Sequence, residues 1–171
     1  MTKVPNHIGD ENKTKSLPVL LSLLAPLLLL PLGHGSVFPG SGTFAQTAVN
    51  SVTVTQVDDI QIIHESFDLV FTGAFTGTTI GTTTIIINLK TGTGTFSGQN
   101  TFTGTVTTSS GTASGTLQAP FSATFVGNNF NGQYTLFGGT GGLTNVEGKG
   151  SIQGSLSPSF VGTYSGFFTP S

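Results

Sequence analysis

The sequence predicts an all-β fold, a single antiparallel eight-stranded barrel after an N-terminal signal segment. Three observations carry that prediction. From Val49 onward the composition turns to Thr, Gly, Ser, Phe and β-branched residues in period-two alternation, the mark of strands with one buried face. Over the same stretch Phe/Tyr-x-Gly occurs nine times, at Phe71, Phe75, Phe96, Phe102, Phe125, Phe130, Phe137, Phe160 and Tyr164. Residues i and i+2 share a strand face, so each copy sets a large ring beside an empty position. A small closed barrel needs that large–small alternation to fill its interior, and glycine lets coiled strands bend. Irregular spacing of the copies excludes a solenoid, which requires a fixed repeat. Thirdly, short turn signals such as Ser109-Ser110-Gly111 and Ser157-Pro158-Ser159 separate the strand patterns.

At the start of the chain, residues 1–16 are polar and carry Lys3, Lys13 and Lys15, and Leu17–Leu32 is nearly all Leu, Val, Ala or Pro. A basic stretch, a short apolar stretch and then small residues is the order of a secretory signal. Residues 1–35 therefore read as a signal peptide, with Gly33-His34-Gly35 as the cleavage point and Phe44-Ala45 as a second one. Residues 36–48 read as a flexible leader and 49–171 as the barrel domain. The expected location is secreted or cell-envelope. The alternative is a membrane anchor through residues 17–32, which is short of the ~20 apolar residues of a span and is interrupted by Pro18, Pro26 and Pro31.

The strands then follow in order. Val52–Val57 alternates, and Phe67, Leu69, Phe71 and Phe75 share a face opposite Asp68, Val70 and Thr72. Thr82–Leu89 is a β-branched run closed by Lys90-Thr91-Gly92. Thr91–Thr107 is the longest alternation, with Thr101, Thr103 and Thr105 on one face and Phe96, Phe102 and Gly104 on the other. It exceeds the usual ~5–6 residues several-fold, which predicts a bulge or turn at Gly98–Asn100. Thr112–Phe125, Phe130–Phe137, Lys149–Leu156 and Phe160–Phe168 complete the set.

Charge and composition exclude several functions. A net charge of −2, 7% charged residues and no arginine argue against a nucleic-acid partner, which demands a basic surface. With no cysteine there is no disulfide, thiolate metal site or Cys nucleophile. Gly148-Lys149-Gly150 lacks the Ser/Thr and upstream Gly of a phosphate loop, and Gly139-x-Gly141 lacks the third Gly of a dinucleotide fingerprint. Ser114 misses a nucleophile elbow by one residue, and no His follows it. No cofactor is expected.

Two carboxylates are candidates for acid chemistry. Glu65 belongs to the charged cluster Asp58, Asp59, His64, Glu65 and Asp68. His64 and Glu65 are adjacent, so a strand points them to opposite faces, and metal spacing is absent; no metal site is expected. Glu147 lies two residues from Lys149 and makes either an exposed pair or a group at a barrel mouth. For ligand contact the candidates are the inward rings Phe71, Phe96, Phe102, Phe125, Tyr134 and Tyr164.

One stretch resembles a known family. Leu136–Gly154 reads LFGGTGGLTNVEGKGSIQG, in which Gly138–Gly142 forms a tight connection and Leu143 and Val146 would pin it to a core. The pattern GGTG-x-L-x-x-V-x-G, with Gly162-Thr-Tyr-Ser-Gly166 near the end, resembles the allene oxide cyclase-like barrel superfamily, including dirigent-like proteins and secreted bacterial relatives. The resemblance implies an eight-stranded barrel and a homo-oligomer, a trimer. It also implies an apolar cavity in which the cyclases use a carboxylate and an ordered water. Dirigent-like relatives carry an arginine after GGTG where this chain has Val146-Glu147, a departure that speaks against their coupling role.

Three function classes follow. The first is an exported, non-catalytic barrel holding a small apolar ligand in its lumen. The second is an isomerase or cyclase acting on such a ligand. The third is a structural or surface-interaction protein using its Thr-rich outer faces. The residues favour the first.

Overall fold

The computed structural model describes residues 37–108 and 111–169. The signal segment 1–35 and the Ser109-Ser110 turn lie outside the described residues. Eight strands are described: β1 (Phe38–Val57), β2 (Ile60–Gly73), β3 (Phe75–Asn88), β4 (Thr93–Thr108), β5 (Gly111–Val126), β6 (Asn129–Leu136), β7 (Glu147–Ser155) and β8 (Val161–Thr169). They form a closed barrel in chain order, each antiparallel to the next, with β1 closing on β8.

Alternation sorts the two faces as the sequence predicts. Phe96, Phe102, Phe125 and Tyr164 are buried and Phe71 is half-buried against the same core, whereas Thr101 and Thr103 are exposed. At seven inward glycines the empty position has a specific tenant: a ring from the neighbouring strand. Phe44 lies opposite Gly162, Tyr164 opposite Gly42, Phe67 opposite Gly81 and Phe121 opposite Gly98. Phe125 faces Gly94, Phe130 faces Gly154 and Tyr134 faces Gly150. A Cβ on Gly81 or Gly154 would come within 2.9 Å of the Cζ of Phe67 or Phe130. These cross-strand pairs pack an aromatic face onto bare backbone, a device that suits strongly curved sheets.

The structure corrects four expectations. Residues 38–48, read as flexible leader, are the first half of β1 and pair with β8 across Phe38–Ala45. The reason is a tenth Phe-x-Gly copy, Phe38-Pro39-Gly40, followed by Gly42 and the core ring Phe44. The bulge expected at Gly98–Asn100 is absent, and β4 stays in register with both neighbours along its length. Its inward glycines accommodate the coiling without an inserted residue; the register shifts fall in β1, at Gln46/Ala48 and Val49/Ser51. Phe75 opens β3 rather than closing β2, because Gly73 at φ 103° turns the chain between them. Phe137 is exposed, not inward, since β6 ends at Leu136 and Phe137 makes only an isolated bridge to Gln118.

β1 outruns its partner. Past Ala45 its last backbone bond toward the β8 side is Gln46 N–H to Phe160 O (2.9 Å), and beyond the bulges it pairs with β2 alone to Val57. Among the described residues the β1–β2 hairpin therefore overhangs one end of the barrel.

Candidate functional site

The two ends of the barrel differ. Where β6 and β8 finish, the connection after β6 folds into a single 3-10 turn, Gly141–Leu143, that stops the lumen. Leu143 and Val146 are fully buried there, as the sequence predicts, and the hydroxyls of Thr140 and Thr116 tie the turn to β5 at 2.8 Å. Nearby, the Tyr164 hydroxyl accepts from the Phe75 N–H (2.8 Å) and donates to the Thr72 carbonyl (3.1 Å). Two strand edges are thereby joined through one buried phenol.

The other end, where β8 begins, holds a cavity of about 240 Å³. Its wall is apolar, including Phe96 and Phe125 from the predicted ring set together with Ile85, Ile87 and Leu156. Glu65 reaches this mouth because it has the strand parity of Phe67 and Leu69, the inward residues of β2. Gln46 meets it from β1, its amide nitrogen donating to Glu65 Oε1. The first β1 bulge falls directly after Gln46, the kind of position where a bulge re-aims a side chain. Phe160 floors the cavity, stacked on Phe130 at 5.0 Å and 16° and flanked by Phe44 (5.5 Å) and Phe96 (5.8 Å).

Beneath that floor is an inner chamber of about 60 Å³, whose wall includes Phe71, Phe102, Tyr134 and Tyr164. Phe67 and Phe160 line both spaces. Burial, and then the proximity of Tyr164, pushes the Tyr134 hydroxyl up to about 12. Burial also raises Tyr164, against the lowering effect of the Phe75 hydrogen bond. Both phenols are thus neutral at physiological pH.

The six predicted rings therefore divide between mouth and chamber, and of the two candidate carboxylates only Glu65 joins them. Glu147 is exposed as the first residue of β7, at the stopped end, and lines neither space. The other charged candidates are dispersed. His64 faces outward with Nδ1 3.0 Å from the Thr84 hydroxyl, Asp68 accepts from Asn50 at 2.9 Å, and Asp58 and Asp59 form the β1–β2 turn. Among the described residues no group of three or more metal-ligating side chains comes together. Sequence reasoning missed Gln46, which it had placed in the leader; the Phe38-Pro39-Gly40 copy was the available signal.

These features define a closed, eight-stranded antiparallel barrel with one stopped end and one apolar mouth. No protein-family model matches the chain, and no curated protein matches its sequence. A solved structure does resemble it: a protein of unknown function of the DUF3224 family from Shewanella oneidensis MR-1, at a TM-score of 0.63 and 14% identity. The match covers 80% of this chain and 98% of that one. At that identity the likeness is one of fold.

Proposed function

We propose that this barrel is an exported, non-catalytic carrier that takes one small apolar molecule into its mouth. The observation that carries the reading is the cavity of about 240 Å³, walled by rings and aliphatic side chains and bearing one convergent polar pair, Gln46 and Glu65. Barrel mouths with apolar walls and few polar groups are where small ligands bind. The volume lies below the ~300–1,000 Å³ of sites for drug-sized molecules, so the ligand is smaller than those. The likeness of the GGTG connection to allene oxide cyclase-like barrels supports a ligand in the lumen without extending their chemistry to this chain. The Glu65 carboxylate at the rim selects against anions. Fluorescence titration with 1-aminoanthracene is expected to saturate at one site. The matched carboxylate, 1-anthroic acid, should bind roughly tenfold weaker, a difference that Glu65→Gln removes. Absence of saturable binding by the amine would overturn the reading.

Export is part of the proposal, and the fold constrains it. Cleavage at Phe44-Ala45 would remove a core ring and seven of the eight residue pairs of the β1–β8 ladder, which favours a cut at Gly33–Gly35. N-terminal sequencing of the protein recovered outside the cytoplasm is expected to begin between residues 34 and 37. Full-length protein held in the membrane fraction would establish the anchor through residues 17–32 instead.

A second reading, self-association, has its own observation. From its second bulge onward β1 presents an edge with exposed Val52 and Val54, just after the exposed Val49, and no charge or proline between Asn50 and Val57. Such an edge is a template for another strand. Antiparallel pairing with a second copy about Thr53 sets Val52 against that copy's Val54, which makes the segment self-complementary. A two-fold contact gives a dimer, whereas the trimer implied by the family resemblance would show as a third mass. Light scattering is expected to give the dimer mass, and Val54→Lys the monomer; a monomeric native protein would overturn this reading.

A further inference from the structure

Besides Tyr134 and Tyr164, two polar side chains line the inner chamber, and at both the structure leaves an oxygen without a partner. Thr79 is 2% exposed and Asn100 7% exposed, and both line the chamber. Neither Thr79 Oγ1 nor Asn100 Oδ1 has a hydrogen-bond partner. Strand parity explains why both point inward: Thr79 follows Phe75 and Gly77 on β3, and Asn100 precedes Phe102 on β4. Asn100 lies opposite Gly81, two residues from Thr79, so the two side chains are diagonal neighbours on one ladder. An aliphatic residue would fill either position without an unpaired oxygen, which is costly in a buried site. The chamber, at about 60 Å³, is several times the ~10–15 Å³ that admits one water.

Resting on the carrier reading above, we infer that Thr79 and Asn100 are the hydroxyl-recognising end of the ligand site, and that the ligand is an apolar alcohol bound head first. An amide oxygen only accepts, so an occupant that satisfies Asn100 Oδ1 donates a proton to it. The Thr79 hydroxyl both donates and accepts, and completes the bonding of an alcohol oxygen that has given its proton to Asn100. A carbonyl or ether offers no proton, and an ammonium brings a charge into a wall of rings with no carboxylate in the chamber. A neutral hydroxyl fits both polar points and the apolar remainder. The tail continues into the mouth past Phe67 and Phe160, which line both spaces. Phe160 stands just before the first residue of β8 and is only half-buried, so its ring is the one to be displaced.

The test compares 1-octanol with 1-fluorooctane, a near-isostere that cannot donate, each displacing 1-aminoanthracene. The native protein is expected to release the probe at roughly tenfold lower concentration of the alcohol, the size of one hydrogen bond to a buried acceptor. Thr79→Val/Asn100→Leu should reverse the order, because the fluoroalkane is the more apolar of the two, and circular dichroism establishes that this variant folds. Equal displacement by the two compounds in the native protein would mean that water alone holds the pair, and would overturn the inference while leaving the carrier reading intact. A preference for the alcohol that survives in the double variant would overturn it too. If the probe does not bind, the mouth reading fails on its own, and thermal denaturation with each compound decides the chamber. Stabilisation by the alcohol alone, lost in the double variant, is expected there, and no stabilisation by either would overturn the inference.

Discussion

Phe130→Ala is expected to lower folding stability by about 3–5 kcal/mol, read from the midpoint of urea denaturation at unchanged slope. Phe130 is 1% exposed and its ring sits over Gly154. It stacks on Phe160 and lies 5.3 Å from Phe96 and 6.3 Å from Phe44. Truncation removes ring–ring contacts as well as buried area. The position beneath the Phe130 ring is Gly154, which has no side chain to move into the space. A loss below about 1 kcal/mol would mean that the rings do not pack the lumen as described.

Gly104→Val is the second large effect, at about 3 kcal/mol, the upper end for overpacking or beyond it. A Cβ there meets Phe102 Cζ at 2.8 Å, the Cα of Gly77 at 2.8 Å and the Thr76 carbonyl oxygen. Two of those three neighbours are backbone, so no rotamer change relieves the contact and the β3–β4 ladder must shift. Thr103→Ser, one residue away on the outer face, should change stability by less than about 0.5 kcal/mol. The contrast between adjacent positions measures the face assignment itself. A neutral Gly104→Val beside a destabilising Thr103→Ser would invert it.

Much of this barrel is legible in the sequence for a physical reason. A pleated strand repeats every two residues, so ring and glycine positions such as Phe96/Gly98 and Phe102/Gly104 identify the inner face without knowledge of which strand is adjacent. What alternation cannot reveal is register. That Phe130 rests on Gly154, and Phe44 on Gly162, depends on which residues lie opposite in the ladder, a property of pairing and not of either strand alone. The misreading of residues 38–48 has a related cause. Their strand pattern follows directly on an apolar leader and is broken by Pro39, while their partners, Val161–Phe168, come more than a hundred residues later in the chain.

The site was legible to a smaller degree. Strand parity sends Glu65 inward and His64 outward, and the ring set did supply walls for both spaces. Gln46 was hidden by the leader assignment, and the pairing of Glu65 with it depends on a β1 bulge with no turn residue to announce it. Thr79 and Asn100 sit in alternations where threonine and asparagine also occur on the outer face. Only closure of the barrel shows them to be buried without partners.

The claim on which the functional account turns is that the mouth at Gln46 and Glu65 admits an apolar molecule. Titration of isotope-labelled protein with 1-aminoanthracene, followed by amide chemical shifts, tests it most directly. The account predicts saturable shifts at Gln46, Glu65, Thr83, Leu156 and Phe160, with none at Lys149 and Phe167 on the outer face. Shifts confined to that outer face, or none that saturate, would contradict it.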